Sequence, residues 1–553
     1  MNLSLFPPLK WLPEYQVKWL GSDVLAGITL AAYAVPVSLA YAALAGLPPE
    51  TGIYGYILGG IGYALFGSSK HLAVGPTSAI SMLVGTTVAG LAMGDPTRHA
   101  QIAAVAALTF AILSVIAWIL RLSTLTAFIS ETILLGFKAG AGLSIAMTQL
   151  PAFFGVAGGG DHFFQRIGIL AGQIGGANLV TTSVAAIALA LLLLGEKFLP
   201  GRPIALFVVI ASIAAAGYLS LGTYGVVTVG QIPSGLPSLG LPELRPLDVD
   251  GVIPLAFACL LLAYIESVSA AKAFAAKHGY ELDVRQELLG LGAANFAASL
   301  GHGYPVAGGL SQSAVNEKAG ARSPLALVFA SVALAACLLF LTGLVADLPK
   351  AVLASIVLVA VKGLINIPEI VSLRRISRLE FHVALVALGG VLVLGILKGV
   401  LLAAVASILL LIRRAASPHV AFLGRIPGTD RFSDRARHPD NEPISGVVAF
   451  RIEAALLYFN VDNVAKAVTD RIDTETSGLR LVVADLSSTP VVDLAGARML
   501  MKLSEDLAKR NVKFRMVETH AQVRDMLRAV GLGESMGPVN RHTTLADAIA
   551  EVD

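Results

Sequence analysis

The chain is 553 residues long, 56% hydrophobic and 14% charged, with a mean hydropathy of +0.76. Soluble domains carry roughly 25% charged residues, so a water-exposed surface around the whole chain is excluded, and a net charge of +3 is too small to mark a nucleic-acid partner. The two cysteines, Cys259 and Cys337, both lie in apolar runs, which excludes a disulfide framework and a zinc cluster.

In chain order, residues 1–21 carry Pro7, Pro8, Trp11 and Trp19 but no signal-peptide core, and are expected to form an uncleaved cytoplasmic or interfacial segment. A hydrocarbon core about 30 Å thick takes roughly 20 apolar helical residues to cross. Spans are predicted at Ser22–Gly46, Thr51–Phe66, Gly75–Gly90, Ala100–Leu120, Ala127–Leu150, Ala177–Leu194 and Pro203–Leu219. A second set is predicted at Val252–Ala275, Arg285–Leu300, Gly309–Ala319, Pro324–Leu344, Leu348–Leu364, Phe381–Leu397 and Val400–Ile412. The fold expected is a polytopic α-helical membrane protein of about 14 spans. Its transport domain is 22–414, in repeats of about 22–219 and 251–414.

With the N-terminus inside, the inner loops collect Lys70, Arg121, Lys197, Arg202, Lys272, Lys277, Arg285, Lys318, Arg322, Arg374, Arg375, Arg378, Arg413 and Arg414. The outer loops hold Arg98, Arg166, Arg245, Lys350 and Lys398. This bias places both ends in the cytoplasm of a cell with a plasma (bacterial inner) membrane.

Two spans are short, and each follows an extended stretch punctuated by Gly and Pro: His71–Ala79 and His302–Ala314. Gly75-Pro76 and Gly308-Gly309 are expected to end a strand and open a half-helix. Matching interruptions in two halves point to an inverted-repeat transporter and its binding site, whereas one alone would read as a kinked span. A half-helix starting within the membrane leaves amide donors that favour an anion. Thr77, Ser78, Ser311 and Ser313 would add hydroxyls there.

Glu266 lies well inside a span, where carboxylates line cavities or relay protons, and it is expected to be the proton-coupling group; the alternative is a structural carboxylate bonded to a neighbouring helix. Lys138 also falls within a span. It either draws the anion, pairs with a carboxylate, or extends its ammonium from near a helix end.

These residues resemble one family, the SulP anion transporters, whose animal relatives include prestin and pendrin. The resemblance rests on Pro36–Gly67, His71–Ser81, the Glu266 segment and Gly308–Asn316, and it runs through nearly the whole chain. It implies a seven-plus-seven inverted repeat divided into a core (spans 1–4 and 8–11) and a gate, an elevator-like motion, and a homodimer. It implies Tyr41 as a pocket-lining aromatic, Pro76 and Thr77 at the span-3 half-helix, and Ser311 as the span-10 donor. Ser78, Gly309, Leu310 and Gln312 complete the expected binding set, and Glu266 stands at the family's cation-coupling position. Sodium-coupled bicarbonate members typically carry Asp there, so Glu points to a proton rather than sodium. Two departures, Val37 where Gln or Glu is frequent and Gln312 where many eukaryotic members have Arg, make the pocket less charged.

Residues 415–442 read as a polar linker, and 443–553 as an α/β domain. Its strands are predicted at Val447–Ile452, Leu456–Phe459, Leu481–Leu486 and Val512–Val517, with helices at Asp462–Ile472, Asp493–Arg510 and Gln522–Val530. The region resembles the STAS domain that closes most SulP proteins, with Ala495 where bacterial anti-sigma antagonists carry the phosphorylated Ser. It is expected to pair chains or dock a cytoplasmic partner. No P-loop, nucleophile–His pair or metal cluster stands out, so the chain is not expected to be an enzyme or to hold a cofactor. The expected function is proton-coupled sulfate symport. C4-dicarboxylate or bicarbonate symport, uncoupled exchange or channel conduction, and a membrane-anchored sensor remain as alternatives.

Overall fold

The computed structural model describes residues 7–123, 131–160, 162–199, 204–231, 233, 235–243, 245, 249–475, 478–532 and 543–550. Ala127, Arg202 and Pro203 lie outside the described residues. The chain divides into two compact units, Met1–Ser407 and Ile408–Asp553.

A helix stands at each predicted span. The first seven are α1 (Leu20–Leu44), α2 (Pro49–Phe66), α3 (Ser78–Ala92), α4 (Pro96–Ile119), α5 (Glu131–Phe154), α6 (Leu179–Phe198) and α7 (Ile204–Tyr218). The second seven are α8 (Val249–His278), α9 (Val284–Leu300), α10 (Leu310–Lys318), α11 (Leu325–Phe340), α12 (Lys350–Lys362), α13 (Arg378–Leu394) and α14 (Ile396–Ala416). Two-residue strands, β1 (Val74–Gly75) and β2 (Ala307–Gly308), precede α3 and α10. Those two helices have 15 and 9 residues, which at 1.5 Å per residue gives about 22 and 14 Å against a core of about 30 Å.

Four helix starts are closed by short polar side chains, whereas α1, α2, α11 and α12 begin without a side-chain cap. Asp95 accepts from Thr97 N and Arg98 N, Asn178 from Thr181 N, Asp283 from Arg285 N and Gln286 N, and Ser377 from Glu380 N. These caps satisfy orphan amides. The starts of α3 and α10 have no side-chain cap.

Packing separates the helices into two modules. In one, α9 lies on α2 and α4, α11 on α1 and α2, and α8 on α4; in the other, α5 lies on α12 and α13, and α6 on α12. The modules meet where α1 touches α7 and α12, and where α3 touches α5. Two further helices, Phe163–Gln173 and Ile367–Ile376, connect α5 to α6 and α12 to α13. Neither was predicted: each is too short to span, and only one side of it is apolar.

In the second unit a five-stranded sheet has the order β4-β3-β5-β6-β7, from β3 (Val420–Arg425), β4 (Phe432–Asp434), β5 (Val447–Ile452), β6 (Leu481–Asp485) and β7 (Lys513–Val517). β5, β6 and β7 are parallel, and β3 runs antiparallel to both β4 and β5. Helices α15 (Val461–Thr474), α16 (Leu494–Lys509) and α17 (Ala521–Ala529) cover one face, where Val464, Leu500 and Val523 meet Phe450 and Val482. α18 (Leu545–Ala550) covers the other through Leu545, Ala548 and Ile549. β6 is buried on both faces, which accounts for its unbroken Leu-Val-Val-Ala run.

Two predictions here need correction. Residues 415–442 are not simply a linker, since β3 and β4 lie within them; their Gly, Pro and Asp masked a short alternating strand whose Ala421 and Leu423 face the core. Leu456–Phe459 is not a strand: Leu456 makes one isolated bridge to Val492, and the chain then turns. The turn is held by Asp493, whose carboxylate accepts from Tyr458 N at 2.7 Å while capping α16 through Gly496 N at 2.9 Å.

Candidate functional site

The site begins with the antiparallel pairing of β1 and β2, Val74 opposite Gly308 and Gly75 opposite Ala307. Glycine is required by close approach: a Cβ on Gly75 would lie 2.5 Å from the Tyr56 ring, and one on Gly308 would lie 2.6 Å from Leu72. The crossing brings the start of α3 and the start of α10 to one place from the two repeats. Thr77, the residue before α3, is extended (φ −126°, ψ 153°), and Gly309, the residue before α10, likewise (φ −93°, ψ 142°). Their uncapped first turns present backbone donors and the positive ends of two helix dipoles.

Side chains of the second repeat brace this crossing. Gln312 Nε2 donates to Ala73 O and to Ala307 O, both at 2.9 Å, and its Oε1 accepts from the Tyr56 hydroxyl. Ser313 Oγ accepts from Ala73 N at 2.9 Å, Asn316 Nδ2 donates to His71 O at 3.1 Å, and Ser267 Oγ accepts from Gly308 N at 2.8 Å. Asn295 closes both sides of the Val306 peptide, accepting from its N–H at 2.9 Å and donating to its carbonyl at 3.0 Å. Apart from Asn316 Oδ1, which has no partner among the described residues, these interior side-chain groups are hydrogen-bonded, as an apolar environment demands where an unmade bond costs several kcal/mol.

The first repeat behaves differently. Thr77 is 9% exposed, and its Oγ1 has no hydrogen-bond partner among the described residues. Tyr41, on α1, has Ser78, Tyr33, Tyr304 and Glu266 within electrostatic reach. Tyr304 OH in turn contacts Ser81 Oγ at 3.0 Å.

The expected binding residues therefore fall into two groups. Tyr41, Pro76, Thr77 and Ser78 gather at the start of α3, while Gly309, Leu310 and Ser311 lie at the start of α10 with Leu310 and Ser311 exposed. Gln312 is 3% exposed and fully engaged in the brace, so its side chain positions the site rather than offering donors to a ligand. The same holds for the Ser313 hydroxyl. Glu266 is half-buried on α8, beside the bracing Ser267, and makes no hydrogen bond or ion pair with the described residues. Lys138, half-buried on α5 of the other module, acts on it electrostatically without forming a contact pair. Among the described residues no cluster of His, Cys, Asp or Glu could hold a metal ion.

The sulfate permease family pattern matches residues 20–387, and the STAS domain pattern matches residues 438–548. The chain belongs to the sulfate permease family. A probable sulfate transporter of Mycobacterium tuberculosis (strain H37Rv) is 34% identical over 536 residues, 97% of this chain and 96% of that one. A chloroplastic sulfate transporter of Arabidopsis thaliana is 30% identical over 554 residues, 97% of this chain and 80% of that one. The fold is that of the murine Solute Carrier 26 family member A9 anion transporter in its inward-facing state, with a TM-score of 0.90, 24% identity, and coverage of 99% and 94% of the two chains. The transmembrane domain of a cyanobacterial bicarbonate transporter aligns at TM-score 0.62 and 22% identity, over 71% of this chain and 98% of that one. The sulfate permease family is one of membrane anion transporters, and this member carries its STAS domain at the C-terminal end.

Residues that sequence reasoning passed over are the braces: Tyr56, Ser267, Asn295, Ser313 as acceptor, and Asn316. One signal was available. Tyr56, Ser267 and Asn295 are polar residues within otherwise apolar helices, and Ser313 and Asn316 lie in the half-helix itself, where backbone freed from regular helix must find partners.

Proposed function

We propose that this sulfate permease family member is a proton-coupled sulfate symporter working by an elevator-like movement, with the anion held between the starts of α3 and α10. The observation that supports the reading is the β1–β2 crossing, within a few residues of which two helices start without side-chain caps, one from each repeat. Thr77, Ser78, Ser311 and the Tyr41 hydroxyl contribute neutral donors around it, and Pro76, Gly309 and Leu310 line it. A site of dipoles and hydroxyls holds an anion firmly enough to select it and loosely enough to release it. Sulfate is favoured as the substrate by the 34% identity to the mycobacterial probable sulfate transporter over nearly the whole chain.

Glu266 is the coupling group in this reading. It belongs to the module that carries the site, whereas Lys138 belongs to the other. Sliding one module past the other would change the distance between these charges, and with it the ease of holding a proton on Glu266. The distribution of Lys and Arg between loops favours a cytoplasmic location for both termini, and the membrane proposed is the plasma (bacterial inner) membrane. The assembly proposed is a homodimer.

The test is radiolabelled sulfate uptake into proteoliposomes with and without an inward proton gradient, with unlabelled fumarate and bicarbonate as competitors. Gradient-stimulated uptake that only unlabelled sulfate suppresses is expected, and Glu266→Gln should abolish the stimulation while leaving sulfate binding in place. Stimulation that survives Glu266→Gln removes Glu266 from the coupling. Uptake that fumarate or bicarbonate suppresses as well as sulfate does reassigns the substrate.

A further inference from the structure

The turn between α12 and α13 places three arginines around one cavity. The helix Ile367–Ile376 is opened by Asn366, whose side chain accepts from Glu369 N at 3.2 Å, and its last turn carries Arg374 and Arg375. The chain reverses at Ser377, whose hydroxyl caps α13, and Arg378 is the first residue of that helix. Val371, Arg374, Arg375, Arg378, Phe381 and His382 line a cavity of about 690 Å³.

Nothing in the described residues neutralises this cluster. None of the three guanidiniums forms a hydrogen bond or ion pair there, and all three are exposed. The carboxylates nearest in sequence are engaged elsewhere: Glu369 Oε2 accepts from Asn366 Nδ2 at 2.6 Å, and Glu380 Oε2 accepts from Thr132 Oγ1 at 2.8 Å. Three like charges held within one turn repel one another, so an anion bound among them relieves a standing cost. Guanidinium forks suit the paired oxygens of a phosphate.

The same helix and the start of α13 present apolar side chains beside the charges. Ile367 is 62% exposed, Val371 50%, Ile376 79% and Leu379 54%. A dissolved oxyanion has no use for such a surface, whereas an acyl chain does. The matching helix of the first repeat, Phe163–Gln173, shows the contrast: Phe164 and Ile167 are exposed there too, but its one arginine, Arg166, donates from Nε to Gly160 O at 2.9 Å.

We infer that the α12–α13 turn is a binding site for an anionic phospholipid, with Arg374, Arg375 and Arg378 on the headgroup phosphate and Ile367, Val371 and Leu379 against the acyl chains. The site lies on the module opposite the one bearing the half-helices, so the inference stands whichever anion is transported. With the orientation proposed above, the lipid belongs to the cytoplasmic leaflet. Its consequence would be to hold one module at a fixed depth in the bilayer while the other moves.

The full-length protein in a neutral detergent is titrated with phosphatidylglycerol, with phosphatidylcholine, or with inorganic phosphate, following the thermal unfolding midpoint. Phosphatidylglycerol alone should raise the midpoint, and less so at high salt. Replacing all three by glutamine (Arg374→Gln, Arg375→Gln, Arg378→Gln) should raise the half-saturating lipid concentration by about fivefold per residue, roughly 100-fold in all. The corresponding triple lysine variant keeps the charge and should keep most of the response, which separates loss of the site from loss of fold. The inference is overturned if the glutamine variant responds like the wild type, if phosphatidylcholine serves equally well, or if inorganic phosphate reproduces the shift.

Discussion

The two half-helix segments are alike in backbone and unlike in chemistry. Both place a two-residue strand before an uncapped helix, and the two strands pair with each other. In the second segment Gln312, Ser313 and Asn316 all turn their side chains back to hold the first segment at Ala73 and His71, and Gln312 also bonds Ala307 of its own segment. In the first, Thr77 leaves its hydroxyl without a partner among the described residues, and Ser78 lies within reach of Tyr41. One repeat braces and the other presents. Backbone symmetry therefore brings two helix dipoles together, while the side chains have divided the remaining work between them.

The largest way to break that division is at Gln312. Gln312→Leu keeps the volume but removes the partner of the Tyr56 hydroxyl and one bond each to Ala73 O and Ala307 O. Each buried group left unpaired costs roughly 1–3 kcal/mol. A drop in the unfolding midpoint is expected together with at least about a tenfold loss of uptake, the equivalent of about 1.4 kcal/mol at the site. Uptake retained at the wild-type level would show that the crossing holds without its brace.

The glycines at the crossing come next. Alanine at either position forces its neighbour to shift, at about 1–3 kcal/mol for an overpacked interior. At Gly75 the obstacle is the Tyr56 ring, which is tied to Gln312; at Gly308 it is Leu72, whose branches can rotate. Gly75→Ala should therefore lower stability and uptake more than Gly308→Ala does, measured side by side. The reverse order would mean that the second strand is the stiffer partner.

A smaller and more selective contrast separates presenting from bracing hydroxyls. Thr77→Val removes a buried hydroxyl that has no partner among the described residues, so the unfolding midpoint should hold or rise. The half-saturating sulfate concentration should rise about tenfold, as for a lost hydrogen bond to a charged ligand. Ser313→Ala leaves Ala73 N–H unpaired and should do the opposite, lowering stability with little change in sulfate affinity. Parallel behaviour of the two variants would dissolve the distinction.

Much of this architecture was legible in the sequence because the bilayer imposes simple rules. Spans are long apolar runs, and the places where Gly75-Pro76 and Gly308-Gly309 interrupt them are visible without a structure. The bracing roles were not legible. Gln312 and Ala73 are 239 positions apart, and Ser267 and Gly308 are 41 apart, so no local pattern couples them. Gln312 was read as a ligand residue because it sits in the right motif, but which way a side chain turns from a half-helix is set by packing. The helices Phe163–Gln173 and Ile367–Ile376 were missed for a different reason. Each carries its apolar residues on one side only, as a helix lying along the membrane surface does, and a search for spans passes over it.

The last contrast lies at the histidines that open the two motifs. His302 has a left-handed backbone (φ 53°) at the end of α9, whereas His71 is buried, stacked on His278 with ring centroids 4.3 Å apart and with Tyr280 OH 3.4 Å from its Nδ1. It lies in the loop between α2 and β1, outside the helical spans. Lys70 stands beside it, and Glu317 accepts from Lys277 at 2.7 Å and from His278 at 2.8 Å. Burial, reinforced by His278 and Lys70 and opposed by Glu317, pushes the His71 imidazole down to about 4. An unfolded chain would take up a proton near pH 6.5 that the folded one refuses until about pH 4. The folded state thus loses stability as pH falls through that window, and the loss is complete below it. His71→Gln, unable to titrate, should show a smaller fall in unfolding midpoint between pH 7.5 and pH 5 than the wild type. Equal slopes for wild type and His71→Gln would mean that the motif's first histidine gains its proton in the folded chain as readily as in water.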